Sequence, residues 1–148
     1  MASKFAKIKP NIWRTKLVDL SPNAKLTGIY FMTNDRFQMI GIYYIPTVDI
    51  VIGTGLTESE IDSAMTELEQ AGFCCYDRDD MFVWVIDMAA SQVADNPSET
   101  QKKGVANELC RLYEDDESSF VEPFLEKYHS KFDLPESPDD LLDYNFKN

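Results

Sequence analysis

TESEIDSAMTELEQAGFCCYDRDDMFVWVI, residues 57–86, decides the fold. Thr57-x-x-Glu60 is a capping box, in which a Thr side chain and a Glu three residues on satisfy each other's free backbone N–H groups. Ile61, Ala64, Met65 and Leu68 follow at i, i+3, i+4 and i+7, with Ala71 on the same side. Gly72 stands where a helix closes in a left-handed residue. The spacing predicts a helix over 57–71. Residues 73–77 and 81–86 then read as two strands, since Phe82, Trp84 and Ile86 alternate with Val83 and Val85. The short polar link Arg78-Asp79-Asp80 makes them a hairpin.

Upstream, Ser21-Pro22 is an N-cap followed by a proline suited to the first helical position. Leu26, Ile29 and Tyr30 are predicted as the buried stripe of that helix, which fades near Thr33-Asn34-Asp35. MIGIYYI, residues 39–45, is β-branched and aromatic and reads as a strand closed by Pro46. TVDIVI, residues 47–52, fits strand or helix by periodicity; its place between a strand and a capped helix favours a short helix. Residues 3–17 read as an arm and then a short strand or turn around Ile12 and Trp13, Pro10 excluding a continuous helix.

Downstream, Asn96-Pro97-Ser98 marks a boundary. Val105, Leu109, Leu112 and Tyr113 recur at helical spacing, and the acids at 114–117 oppose the negative end of the helix dipole and end it. A second helix is expected from Ser118-Ser119, with Phe120, Phe124, Leu125, Tyr128 and Phe132 on its apolar face. Residues 133–148, with two prolines and five acids, are expected to be loose and flexible.

Helix, strand, short helix, capped helix and hairpin is the element order of a winged helix, in which the third helix enters the major groove and the hairpin flanks it. The expected class is therefore α+β: a winged helix of three helices plus a β-hairpin wing, followed by two C-terminal helices and an acidic tail. Its parts are a basic arm and first strand (1–17), the winged helix (18–93), a helical extension (94–132) and the tail (133–148). Leu26, Ile29, Tyr30, Ile42, Ile45, Ile61, Met65, Leu68, Phe73 and Trp84 are the expected core.

The order of elements is joined by a resemblance. The run IWRTKLVDLSPNAKLTGIYFMTN (12–34), IGIYYIPTVDIVIGTGLTESEIDSAMTELEQAGFCCYD (40–77) and MFVWV (81–85) resembles the N-terminal winged-helix domain of phage replication-initiation (replisome-organiser) proteins. The matching marks are Trp13 with LSPNAKL, the GIY strand before a proline, E-L-E-x-A-G closing the third helix, and the W-V strand. KKGVANELCRLY (102–113) and FVEPFLEKY (120–128) are similar to the helical segment that follows in those proteins. The likeness covers roughly residues 10–132. It implies DNA binding at a replication origin and recruitment of helicase-loading partners.

Charge complicates that expectation. The 148 residues carry 14 basic and 26 acidic groups, a net of −12, and 44 % are apolar, enough for a packed core. Residues 1–36 hold seven basic against two acidic groups, a net of +5, and residues 37–148 a net of −17. A nucleic-acid binder draws most of its affinity from neutralising phosphates, and only the first quarter of the chain offers that. DNA contact is therefore assigned to Lys4, Lys7, Lys9, Arg14 and Lys16. The third helix carries Glu58, Glu60, Asp62, Glu67 and Glu69 with no Lys or Arg, and the hairpin tip is acidic too. Like charges ~4 Å apart repel by about 1 kcal/mol even in bulk water. The acids are either a solvated face or, for Glu58, Asp62, Glu69, Asp79 and Asp80, a surface that faces a protein, as in an acidic inhibitor or nucleic-acid mimic that occupies a basic groove. In SPDDLLDYNF, residues 137–146, Leu141, Leu142, Tyr144 and Phe146 form an apolar quartet that either folds on a partner or packs on its own domain.

Other signals are weak. Gly53-Thr54-Gly55 lacks the Lys of a phosphate loop. Asp77, Asp79 and Asp80 lack the spacing and closing Glu of a calcium loop. His129 has no Ser or Cys with a partner acid to make a triad. Cys74, Cys75 and Cys110 show no metal-ligand spacing and are expected to be reduced. The chain is expected to be non-enzymatic, without cofactor or metal, and cytoplasmic, lacking a signal peptide or a bilayer-length apolar run. Expected partners are DNA and a replisome or host protein, with a homodimer also open.

Overall fold

The computed structural model describes residues 5–115 and 119–147. The chain is α+β and divides into two compact units, Met1–Gln92 and Val93–Asn148. Among the described residues, no helix is long and apolar enough to cross a membrane.

Unit 1 opens with a 3-10 turn at Pro10–Arg14 and continues through α1 (Pro22–Thr33), β1 (Ile42–Tyr44), α2 (Thr47–Thr54), α3 (Glu58–Gln70), β2 (Cys74–Asp77), β3 (Phe82–Val85) and a short α4 (Met88–Gln92). The strands form one antiparallel sheet in the order β1-β3-β2. Ile42 lies opposite Trp84, and Cys75 faces Trp84 from the other side. As the central strand, β3 is buried from Phe82 to Val85. That is why alternation there does not separate a wet from a dry face.

The capping box of α3 forms as its sequence dictates: Glu60 N–H donates to Thr57 Oγ1 at 3.1 Å and Thr57 N–H to Glu60 Oε1 at 3.0 Å. Ile61, Ala64, Met65 and Leu68 are buried, and Gly72 takes φ +73° just past the helix end. Ala71, expected on the buried side, is exposed at the C-cap.

The expected face of α1 is corrected. Leu26 is 44 % exposed, and Ile29 and Tyr30 are only half-buried. The buried residues are Ala24, Thr27, Gly28, Phe31 and Met32. The reason is close approach between α1 and α3. A Cβ on Gly28 would sit 3.3 Å from the side chains of both Leu17 and Leu68, so the small residues, not the larger Leu26, meet the neighbouring elements. Thr27 fits there because its hydroxyl donates to Asn23 O at 2.8 Å. Of the remaining expected core, Ile42, Ile45, Ile61, Met65, Leu68, Phe73 and Trp84 are buried.

Of the two readings of the first segment, the turn forms and the first strand does not. No strand forms at Ile12–Trp13 in residues 10–14; the 3-10 turn has Pro10 at its start, with Ile12 buried and Trp13 exposed. Nor does the arm hang free where it is described. The Gln92 side chain, 1 % exposed, holds the Lys7 backbone from both sides: Lys7 N–H donates to Oε1 at 2.9 Å, and Nε2 donates to Lys7 O at 2.6 Å.

Unit 2 comprises α5 (Glu99–Glu114), α6 (Val121–Tyr128) and α7 (Pro138–Lys147). Ser98 and Gln101 make a second capping box at α5. Val105, Ala106, Leu109, Cys110 and Leu112 of α5 are buried, as are Phe124, Leu125, Tyr128 and Phe132. Helix α6 stops at Tyr128, short of Phe132, and Phe132 still stacks 6.3 Å from Phe124. The tail is corrected: residues 138–147 of the segment expected to be flexible are helical. Leu141, offered above as a partner contact, is fully buried, and the Cys110 thiol donates to its carbonyl at 3.4 Å. The Tyr113 hydroxyl also donates to the Asp139 carboxylate. The apolar residue thus finds its cover on α5, within its own unit. Leu142 is half-buried; the side chains of Tyr144 and Phe146 lie outside the described residues.

Candidate functional site

Unit 1 presents two concave surfaces of opposite charge. The first is a cavity of about 80 Å³ lined by Lys7, Lys9, Asn11, Ile12, Thr15, Lys16, Met32 and Ser91. Three of the five predicted DNA-contacting residues, Lys7, Lys9 and Lys16, meet there. They are brought together by the Gln92 clasp on Lys7 and by the 3-10 turn, which folds Asn11 and Thr15 back beside them. The Thr15 hydroxyl donates to Asn11 O at 3.0 Å. Lys16 is not wholly available, because its Nζ lies 2.5 Å from Asp87 Oδ2. Arg14 is exposed on the same turn but does not line the cavity. Lys4 lies outside the described residues.

The second surface is a groove of about 310 Å³ between α3, the start of α2 and the hairpin, lined by Thr47, Glu58, Ile61, Asp62, Met65, Tyr76, Arg78 and Met81. Its floor is apolar, since Ile61 and Met65 are buried core residues of α3. Tyr76 is fixed on one side by donating its hydroxyl to Ile45 O at 2.8 Å. Glu58 and Asp62, both exposed, lie one helical turn apart on the rim.

The acids of α3 do different work. Glu67 binds α3 to the start of α1, accepting from Ser21 N at 3.0 Å and Ser21 Oγ at 2.5 Å. The Ser21 hydroxyl, and then its backbone N–H, lower the Glu67 pKa below the ordinary carboxylate range. Glu60 completes the capping box and accepts from Asn23 Nδ2 at 3.1 Å. Glu69 pairs with Arg78 at 3.4 Å. Glu58 and Asp62 have no ion-pair partner among the described residues. Asp79 and Asp80 at the hairpin tip are exposed, and their backbone N–H groups both donate to Asp77 Oδ1, at 3.0 and 3.1 Å. The three aspartates thus close a loop. Among the described residues, no group of three or more His, Cys, Asp or Glu is placed to hold a metal ion.

Cys74, Cys75 and Cys110 are free thiols, and burial raises the pKa of each. A thiol held protonated in this way is a poor nucleophile. His129 Nδ1 donates to Leu125 O at 2.9 Å and its Nε2 sits 3.5 Å from Glu136 Oε1, with no hydroxyl or thiol nucleophile in either contact.

Sequence reasoning found the charges and missed what frames them. The apolar floor, Tyr76, Arg78 and Met81 belong to the groove only because the hairpin folds beside α3. Gln92 sits in a helix of five residues, too short to leave a periodic signal. Compared with known proteins, the chain matches no family model, no curated protein and no solved structure.

Proposed function

We propose that the chain is a non-enzymatic winged-helix protein of a phage or mobile element that acts in DNA replication initiation. It holds DNA phosphates with Lys7, Lys9, Arg14 and Lys16 and turns the acidic side of α3 toward a replisome or host protein. Support for the winged helix comes from the element order α1, β1, α2, α3, β2, β3 and from the sheet order β1-β3-β2, in which β1 adds to the second strand of the hairpin. The likeness of residues 10–132 to replisome-organiser domains supplies the replication context.

The observation that carries the DNA reading is the meeting of Lys7, Lys9 and Lys16 around one cavity with Asn11, Thr15 and Ser91. Ammonium groups beside the exposed Asn11 amide suit a phosphate. Binding to a duplex, followed by fluorescence anisotropy from low to moderate potassium chloride, tests it. Each neutralised phosphate adds about 0.9 to the steepness of log K against log salt. The variant with Lys7, Lys9, Arg14 and Lys16 all changed to Ala should lose about 3.6 units of slope and at least a hundredfold in affinity at low salt. Binding of unchanged strength and slope rejects the reading.

A second reading, an acidic inhibitor or nucleic-acid mimic, is favoured by one observation: Glu58 and Asp62 stand on the α3 groove without ion-pair partners among the described residues. It requires association with a basic protein whose rate falls steeply as salt rises.

A further inference from the structure

We infer that the groove between α3 and the hairpin is a slot for an arginine side chain presented by a basic segment of a partner protein. The inference rests on the reading of α3 as a protein-facing surface and says what that surface takes.

The groove's chemistry has two parts. Its floor is Ile61, Met65 and Met81 with the ring of Tyr76, and its rim carries Glu58 and Asp62. A ligand that fits both needs an apolar stem and a cationic head. Long basic side chains have this form, burying their methylenes while the charged end reaches carboxylates. Methionines make adaptable walls for such a stem. Two carboxylates one turn apart suit the forked, five-donor guanidinium better than the point charge of lysine.

Charge complementarity selects the occupant. Glu60 and Glu67 are engaged in tethering α1 and capping α3, so they do not compete for it. Arg78, the one cation lining the groove, would repel an arriving arginine, but Glu69 at 3.4 Å offsets it. Glu58 and Asp62 remain as like charges at i and i+4, a pairing that repels until a cation comes between them. Asp79 and Asp80 at the hairpin tip extend the negative field that draws such a segment in. Nucleic acid meets the same field as repulsion. At about 310 Å³ the groove lies at the small end of ligand pockets, which run from about 300 to 1,000 Å³; that suits one inserted side chain better than a whole helix.

The test uses the full chain with 13C-methyl methionine and a decapeptide of alternating Arg and Gly, alongside the same peptide with citrulline at every Arg. Citrulline keeps the shape and removes the charge. The Arg peptide should shift the Met65 and Met81 methyl signals saturably, and the citrulline peptide should bind at least tenfold more weakly. The E58Q/D62N double variant alters two exposed side chains and should also lose at least tenfold in Arg-peptide binding, whereas Val18→Thr, at an exposed residue that does not line the groove, should leave that binding unchanged. Three results overturn the inference: unmoved Met65 and Met81 methyls at saturating Arg peptide, equal binding of the citrulline peptide, or the same two methyls shifting with duplex DNA at the same salt. If DNA binding fails while the methyl shifts persist, only the DNA reading falls. If the shifts fail while DNA still binds, only this inference does.

Discussion

The lysine-lined cavity and the α3 groove sit in one small unit, yet they are built in opposite ways. The groove is local. Glu58, Ile61, Asp62 and Met65 lie on two successive turns of one helix, and Tyr76, Arg78 and Met81 follow within the next hairpin. The cavity joins the beginning of the unit to its end, and its shape depends on Gln92 holding Lys7 across 85 positions of chain. In the proposed winged helix the α3 side is where nucleic acid is expected. Here the exposed acids of α3 make that side negative, and Lys7, Lys9 and Lys16 gather elsewhere on the unit. The proposed fold and the charge thus point to different faces, so the scaffold alone assigns no binding side.

That contrast can be broken or sharpened experimentally. The largest effect is expected at the clasp. Gln92→Leu removes two hydrogen bonds of ~1 kcal/mol each and should cost about 1–3 kcal/mol; denaturant unfolding measures it. The same variant should weaken duplex binding while leaving the Arg-peptide shifts of Met65 and Met81 intact. If both surfaces respond equally, they are not separable.

Next comes the charge on α3. Glu58→Lys with Asp62→Lys should raise affinity for duplex DNA about tenfold at low salt, because two added phosphate contacts replace two repulsions; anisotropy reads the gain. An unchanged affinity would mean that α3 is kept from DNA by its shape and not by its charge.

A smaller effect concerns pH. The carboxyls of Glu60 and Glu67 have folded pKa values below the ordinary 4.5, Glu60 chiefly through the Thr57 backbone N–H and Glu67 through the Ser21 hydroxyl. Their stabilising contribution is therefore complete above about pH 4.5 and is lost as the pH falls through the lowered values. Melting temperature followed downward from pH 7 should hold level and then drop below pH 4.5, and Glu67→Gln should flatten that drop.

The smallest effect is at Lys16. Exposed ion pairs of this kind contribute about 0.2–1 kcal/mol. Asp87→Asn, which frees Lys16, should tighten duplex binding by a few-fold at most.

What could be read from the sequence follows the same division between near and far. The α3 helix was legible because its cap, stripe and terminal glycine are all local. The hairpin was legible from its short polar link. The buried face of α1 was not, because Ala24, Thr27 and Gly28 carry little apolar signal and are selected only by the closeness of α3. The helix in 138–147 was missed for a related reason: Leu141 has nothing to bury against nearby in sequence, and its cover on α5 begins some thirty residues earlier. At the candidate sites the charged residues were visible individually. Their grouping was not, since Lys7 joins Lys16 only through Gln92, and Asp62 gains its apolar floor only once Met81 folds beside Met65.

The Gln92 grip on Lys7 has a topological consequence. It places Lys7 beside the last residue of unit 1, an arrangement that commonly allows a chain's ends to be moved. A short Gly-Ser bridge joining residues 5 and 92, with new termini cut at Gly55 in the turn after α2, should give a circularly permuted unit 1 that folds and still carries both the lysine cavity and the α3 groove.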